Sequence, residues 1–179
     1  MKATGIVRRI DDLGRVVIPK EIRRTMRIRE GDPLEIYTSR EGEVIFKKYS
    51  LLGGLEDFAS QLCETMSRST GAVCAVTDRD TVIAIAGGGK RELQGKRITS
   101  QLEQVMEARR IYQLTAGGAP VAVSDSASHF ITHVAAPILA EGDLLGLVLF
   151  VGAEDTPAGE TEFKLAQTIA AFLGRHMEG

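Results

Sequence analysis

The first fifty residues of this 179-residue chain hold too little apolar material to close a core by themselves. They contain no Trp and no Cys, and no group of side chains suited to holding a metal. A segment of that size lies near the lower limit for independent folding. Buried surface must therefore come from outside it. Two copies whose hairpins share one core would supply it; cover by the remainder of the same chain is the alternative.

Local signals give that segment its elements. Residues 4–10 and 15–18 are short β-branched runs flanking Asp-Asp-Leu-Gly, where Asp and Gly supply turn chemistry. Pro19 cannot donate to a strand ladder and suits the first turn of a helix, so a strand is expected to stop there and a helix to begin. Glu30-Gly31-Asp32-Pro33 is expected to break that helix. Residues 33–38 and 43–49 form a second strand pair about Arg40-Glu41-Gly42. The module is thus mostly β: two hairpins with a short helix between them.

Its charge is as constrained as its core. Through residue 53 there are twelve Lys and Arg against eight Asp and Glu, a net +4, which leaves −6 for the remainder of a chain at −2. On the helix after Pro19, Lys20, Arg23, Arg24 and Arg27 follow the i, i+3, i+4, i+7 spacing and share one face, with Ile22 and Met26 opposite. Clustered like charges cost stability unless an anion is present, so this face points to a polyanion, although a merely solvated basic face has the same spacing. Arg8, Arg9 and Arg15 on the adjoining hairpin enlarge the patch.

Residues 1–50 are read as one domain, 51–55 as a linker and 56–179 as a second domain. In the second, Leu55, Phe58, Ala59, Leu62, Cys63 and Met66 recur at helical spacing up to Gly71. Strand-like runs over 72–78 and 81–87 flank Arg79-Asp80. Ser100 with Glu103 reads as a capping box opening a helix through Arg110. Strands are expected near 111–115, 120–123, 130–139 and 143–151, and a last helix from Thr156-Pro157 to the C-terminus. This order gives an α+β domain with a mostly antiparallel sheet.

Several chemistries are excluded on residue pattern. No run of some 18 apolar residues would span a membrane. Two cysteines outside any CxxC pattern fit a reduced, cytoplasmic compartment. GGGK at 87–90 departs from the phosphate-loop pattern, with Ala84 in place of its first Gly and Arg91 in place of Ser or Thr. His129 and His133 fall in a β-branched run, where they would sit too far apart to share one ion readily. Cys63 and Cys74 read as buried small hydrophobes. With no nucleophile elbow or paired catalytic motif, neither an enzyme, a metal nor a cofactor is expected.

The stretch TGIVRRIDDLGRVVIPKEIRRTMRIREGDPLEIY, residues 4–37, resembles the N-terminal DNA-binding domain of the AbrB family of bacterial transition-state regulators. With a folded C-terminal half ending in ETEFKLAQTIAAFLGRHME, the chain resembles the two-domain sporulation regulators of that family. The resemblance implies a swapped-hairpin dimer on double-stranded DNA, with Arg8, Arg15, Arg23 and Arg24 as contacts and Arg9, Lys20 and Arg27 as further ones. It also implies a C-terminal GAF domain that assists assembly into a homotetramer and can sense a small molecule of unknown identity. The function implied is sequence-tolerant activation and repression of sporulation genes in the cytoplasm, at the nucleoid. Two alternatives stay open: an antitoxin that neutralises a toxin with its C-terminal tail, and a small-molecule sensor whose basic module binds RNA or protein.

Overall fold

A computed structural model describes residues 5–153 and 157–178. The chain divides into two compact units, Met1–Tyr49 and Ser50–Gly179, each described by itself.

The first unit holds helix α1 (Lys20–Met26) and the antiparallel pair β1 (Leu34–Thr38) and β2 (Val44–Lys48). The second hairpin forms where its turn residues place it. Ser39 N–H donates to the Glu43 carbonyl at 3.0 Å, and the Ser39 hydroxyl accepts from the Glu41 and Glu43 amides. The first hairpin differs from expectation. Within 5–18 the chain is not strand, and the described main-chain bonds there are confined to the turn between Asp11 and Arg15. Thr4 lies outside the described residues. The β-branched runs carry no ladder bond among the described residues.

The second unit is a three-layer structure. Its sheet has the order β4-β3-β7-β6-β5, with every pair antiparallel: β3 (Val73–Thr77), β4 (Val82–Ala86), β5 (Tyr112–Gln113), β6 (Ile131–Ala140) and β7 (Asp143–Gly152). Helices α2 (Glu56–Thr70) and α5 (Glu160–Met177) cover one face, burying Cys63, Met66, Ala166, Ala170 and Leu173 against Val134, Val148 and Phe150. Helices α3 (Lys90–Leu93) and α4 (Ser100–Glu107) cover the other, burying Leu93, Leu102 and Met106 against Leu147 and Leu149. In β7, Leu147, Leu149 and Val151 serve the second core and Val148 and Phe150 the first, the alternation of a strand buried on both sides.

Several boundaries move from their expected places for local reasons. The cap of α4 is Thr99, not Ser100: its hydroxyl accepts from Leu102 N–H at 3.1 Å and donates to the Ala122 carbonyl at 2.8 Å, so a tertiary contact picks the capping residue. The helix stops at Glu107, short of Arg110. Residues 120–123 contribute an isolated bridge, Ala122 to Ile131, in place of a strand. Helix α5 opens at Glu160, and Thr156 is outside the described residues. Gly87, Gly88 and Gly89 all have positive φ and form a fitted turn, not a loose connection: a Cβ on Gly89 would lie 2.7 Å from the Phe130 ring. Leu52, in the expected linker, is 1% exposed and belongs to the core under α2 and α5.

The closeness of α5 to the sheet depends on Gly174, where an added Cβ would meet the Leu139 carbonyl oxygen at 2.1 Å. Ala in place of Gly normally favours a helix by about 1 kcal/mol. Here the clash outweighs that gain, and Gly174→Ala is expected to lower stability by about 1–3 kcal/mol, read as a lower urea midpoint. A raised midpoint would contradict this packing.

Candidate nucleic-acid interface

Six of the basic residues lie on three pieces of the first unit: the run before the Asp11 turn (Arg8, Arg9), the run after it (Arg15), and α1 (Lys20, Arg23, Arg24). All six are exposed. The turn between the runs is built around the Asp11 carboxylate. One oxygen accepts from the amides of Leu13 at 3.0 Å and Arg15 at 2.8 Å, and the other accepts from Arg15 Nε at 2.8 Å. Asp11 N–H donates to the Arg15 carbonyl and Gly14 N–H to that of Asp11, closing the loop. One acidic side chain thus shapes the turn and fixes the stem of Arg15.

Helix α1 begins where Pro19 requires, with Arg23 N–H donating to the Pro19 carbonyl at 3.0 Å. It ends earlier than Glu30-Gly31-Asp32-Pro33 suggests. Arg27 takes a left-handed conformation, φ 52°, and Ile28 N–H reaches back to the Arg23 carbonyl at 2.7 Å, a Schellman closure without the usual Gly. The expected stripe is therefore helical through Arg24 only; Arg27 is half-buried at the helix end. Lys48 Nζ donates to the Arg27 carbonyl at 2.9 Å, placing a cation at the negative end of the helix dipole. That contact joins positions 21 apart and leaves no local signal. Asp11 had one, an Asp three residues before a Gly, which reads as a turn but not as a buttress for Arg15.

The apolar side chains of this unit close no full interior: Ile18, Ile22, Ile28, Leu34 and Ile45 are half-buried. Among described residues 5–49 only Pro19 is buried. Ile36, Val44 and Phe46 share one face of the β1–β2 ribbon and are 62%, 61% and 45% exposed. Val7, Ile10, Val16 and Val17 are exposed along the two runs. Met26, expected to anchor α1 to a core, is itself half-exposed.

The second unit offers little for reaction chemistry. Cys63 and Cys74 are buried, and desolvation pushes both thiols up to about 12, so they stay protonated at neutral pH. His133 lies in β6, whereas His129 precedes the strand and sits 3.4 Å from Glu92. Among the described residues no three His, Cys, Asp or Glu side chains are grouped to hold a metal, and no helix is long and apolar enough to cross a membrane.

A small cationic unit short of its own core, carried by a separately folded α+β domain, defines a two-domain DNA-binding regulator of transcription. Residues 54–178 match the family described as stage V sporulation protein T C-terminal, transcription factor, and residues 7–50 match the family described as antidote-toxin recognition MazE, bacterial antitoxin. The chain is 47% identical over 178 residues, 99% of each chain, to stage V sporulation protein T of Bacillus subtilis. Over 49 residues it is 63% identical to the transition state regulatory protein AbrB of that organism, covering 27% of this chain and 50% of that one. The second unit has the GAF fold: it resembles the GAF domain of a phosphoenolpyruvate-protein phosphotransferase from Coxiella burnetii, with a TM-score of 0.53 and 18% identity over 69% of this chain and 82% of that one. The chain belongs to the stage V sporulation protein T family of transcription factors, with an AbrB-like N-terminal domain.

The Asp11 turn gives a direct test. Its carboxyl is held below the ordinary value of 3.8, first by the Arg15 backbone amide and then by the Arg15 side chain. A depressed carboxylate stabilises the turn above its unfolded pKa and loses that effect as pH falls through the lower folded value. The Leu13 and Arg15 amide resonances are therefore expected to hold their positions at neutral pH and to move only below about pH 4. Asp11→Asn should keep those amide bonds while releasing the Arg15 side chain, and Asp11→Ala should lose both. Unmoved amide resonances in Asp11→Ala would contradict the geometry.

Proposed function

We propose that two chains pair through residues 1–50 and present a joint basic surface to duplex DNA, with residues 51–55 as a linker and 56–179 as an assembly and sensing domain. The observation that carries this reading is the lack of any buried residue except Pro19 among described residues 5–49, beside a ribbon face of Ile36, Val44 and Phe46 left open. Each such side chain moved into a shared core contributes about 1.5–3 kcal/mol. The AbrB-like identity of the unit supports DNA as the polyanion, over RNA or protein.

Arg8, Arg15, Arg23 and Arg24 are the main contacts in this reading, with Arg9, Lys20 and Arg27 at the margin. Four arginines per chain give eight per dimer, mostly toward phosphates, with a few reaching base edges. Binding dominated by phosphates favours DNA shape and deformability over a strict consensus, which suits activation and repression at many sporulation promoters. The C-terminal GAF domain joins dimers into a tetramer and responds to a small molecule, which alters regulation only through unequal affinity for two arrangements. That domain spans residues a short antitoxin tail would leave unfolded. The role proposed is regulatory, not catalytic, and cytoplasmic.

If all eight arginines neutralise phosphates, log K against log salt has a slope of about −7. Arg23→Ala with Arg24→Ala removes four of them and should bring the slope to about −4 while the chains remain paired. Fluorescence anisotropy with a promoter duplex measures both slope and affinity. An unchanged slope and affinity would refute the assignment.

A further inference from the structure

At the open edge of the GAF-domain sheet, strand β5 stops after two residues, and its register gives the cause. Leu114 N–H donates to the His133 carbonyl, and Tyr112 and Gln113 pair with Ala135 and Val134. Hydrogen-bonded pairs in that register fall at alternate positions, Leu114 with His133 and Tyr112 with Ala135, so the next would be Arg110 with Pro137. Pro137 has no N–H to donate, and the ladder ends there. The chain before β5 turns away through Arg109, whose φ of 53° is left-handed.

A cleft of about 380 Å³ lies at that edge, between the departing segment, β6 and α5. Its accessible apolar surface comes from Ile111, Pro137, Leu139 and Ala171, and its polar groups are Arg109, Gln167, Arg175 and Glu178. Two of these are tied to consecutive residues of the β6–β7 turn. Arg109 Nη1 donates to the Gly142 carbonyl at 2.7 Å, and Glu178 Oε1 accepts from the Glu141 amide at 2.9 Å. Arg109 keeps further guanidinium donors, and Arg175 brings a second cation from one turn before Glu178.

We propose that this cleft binds a small organic carboxylate with a compact apolar body. Volume and lining are those of a small-molecule site, apolar with a few convergent polar groups. Two guanidiniums against one carboxylate leave a single positive charge, which a monoanion neutralises. A phosphate dianion would exceed that charge and meet repulsion from Glu178. A carboxylate also matches the planar fork of an arginine. The ligand's apolar part takes the surface formed by Ile111, Pro137, Leu139 and Ala171. This rests on the sensing role proposed above for the C-terminal domain and names its site and ligand class.

The test uses the full chain, with isovalerate and phenylacetate as probes and their neutral amides and inorganic phosphate as comparisons, followed by amide chemical shifts. Saturable shifts centred on Arg109, Ile111, Gly142 and Arg175 are expected with the carboxylates and not with the amides or phosphate. Arg175→Gln, an exposed position on α5, should weaken binding at least tenfold. Glu178→Gln keeps an oxygen for the Glu141 amide and removes a repelling charge, so it should tighten binding. The proposal is overturned if neither carboxylate produces saturable shifts, if the amides or phosphate bind as well, or if Arg175→Gln leaves affinity unchanged. DNA binding is followed separately by gel shift. Its loss alongside normal cleft binding would count against the DNA reading alone, and the reverse result against the cleft alone.

Discussion

Twelve large apolar side chains in the described part of the first unit stand exposed in a single copy, and everything that unit does depends on where they go. The hydrophobic effect scales with the area removed from water, and inside one copy it is removed only in part: Ile18, Ile22, Ile28, Leu34 and Ile45 are half-buried and Pro19 alone is buried among described residues 5–49. The β1–β2 ribbon offers Ile36, Val44 and Phe46 on one face, and the two runs flanking the Asp11 turn offer Val7, Ile10, Val16 and Val17. Those runs also carry main-chain groups that a ladder would satisfy. The proposed pairing with a second copy of the same segment would meet both shortages. In the proposed pairing, the two runs that carry Arg8, Arg9 and Arg15 would gain that ladder.

Charge is handled locally within that frame. Asp11 sits in a strongly cationic stretch, and its carboxylate satisfies two turn amides while holding the Arg15 side chain at 2.8 Å. Lys48 steadies the C-terminal end of α1 through the Arg27 carbonyl. These contacts trade conformational freedom in long side chains for position. The second unit differs in kind: its sheet is buried on both faces and folds around two cores of its own.

Much of the second unit could be read from periodicity. Helix α2 ends at Gly71, as its apolar spacing indicates, and β3 and β4 form a hairpin across Arg79-Asp80. What could not be read depends on partners distant in the chain. Thr99 displaces Ser100 as a cap because Ala122 accepts its hydroxyl, and β5 is cut short by a proline some 25 residues further on. The first hairpin was readable as a turn with two β-branched arms, but the arms form no ladder among the described residues. The basic stripe was legible through Arg24. Arg27 left it because the helix closes in a left-handed residue, which the 3.6-residue period does not encode.

The central claim is that the first unit acquires its fold by pairing. Unfolding of residues 1–53 as a separate fragment, followed by circular dichroism in urea across a hundredfold range of concentration, tests it most directly. An obligate dimer gives a midpoint that climbs with concentration and a sedimentation coefficient of two chains. A folded monomer whose midpoint ignores concentration would contradict the account.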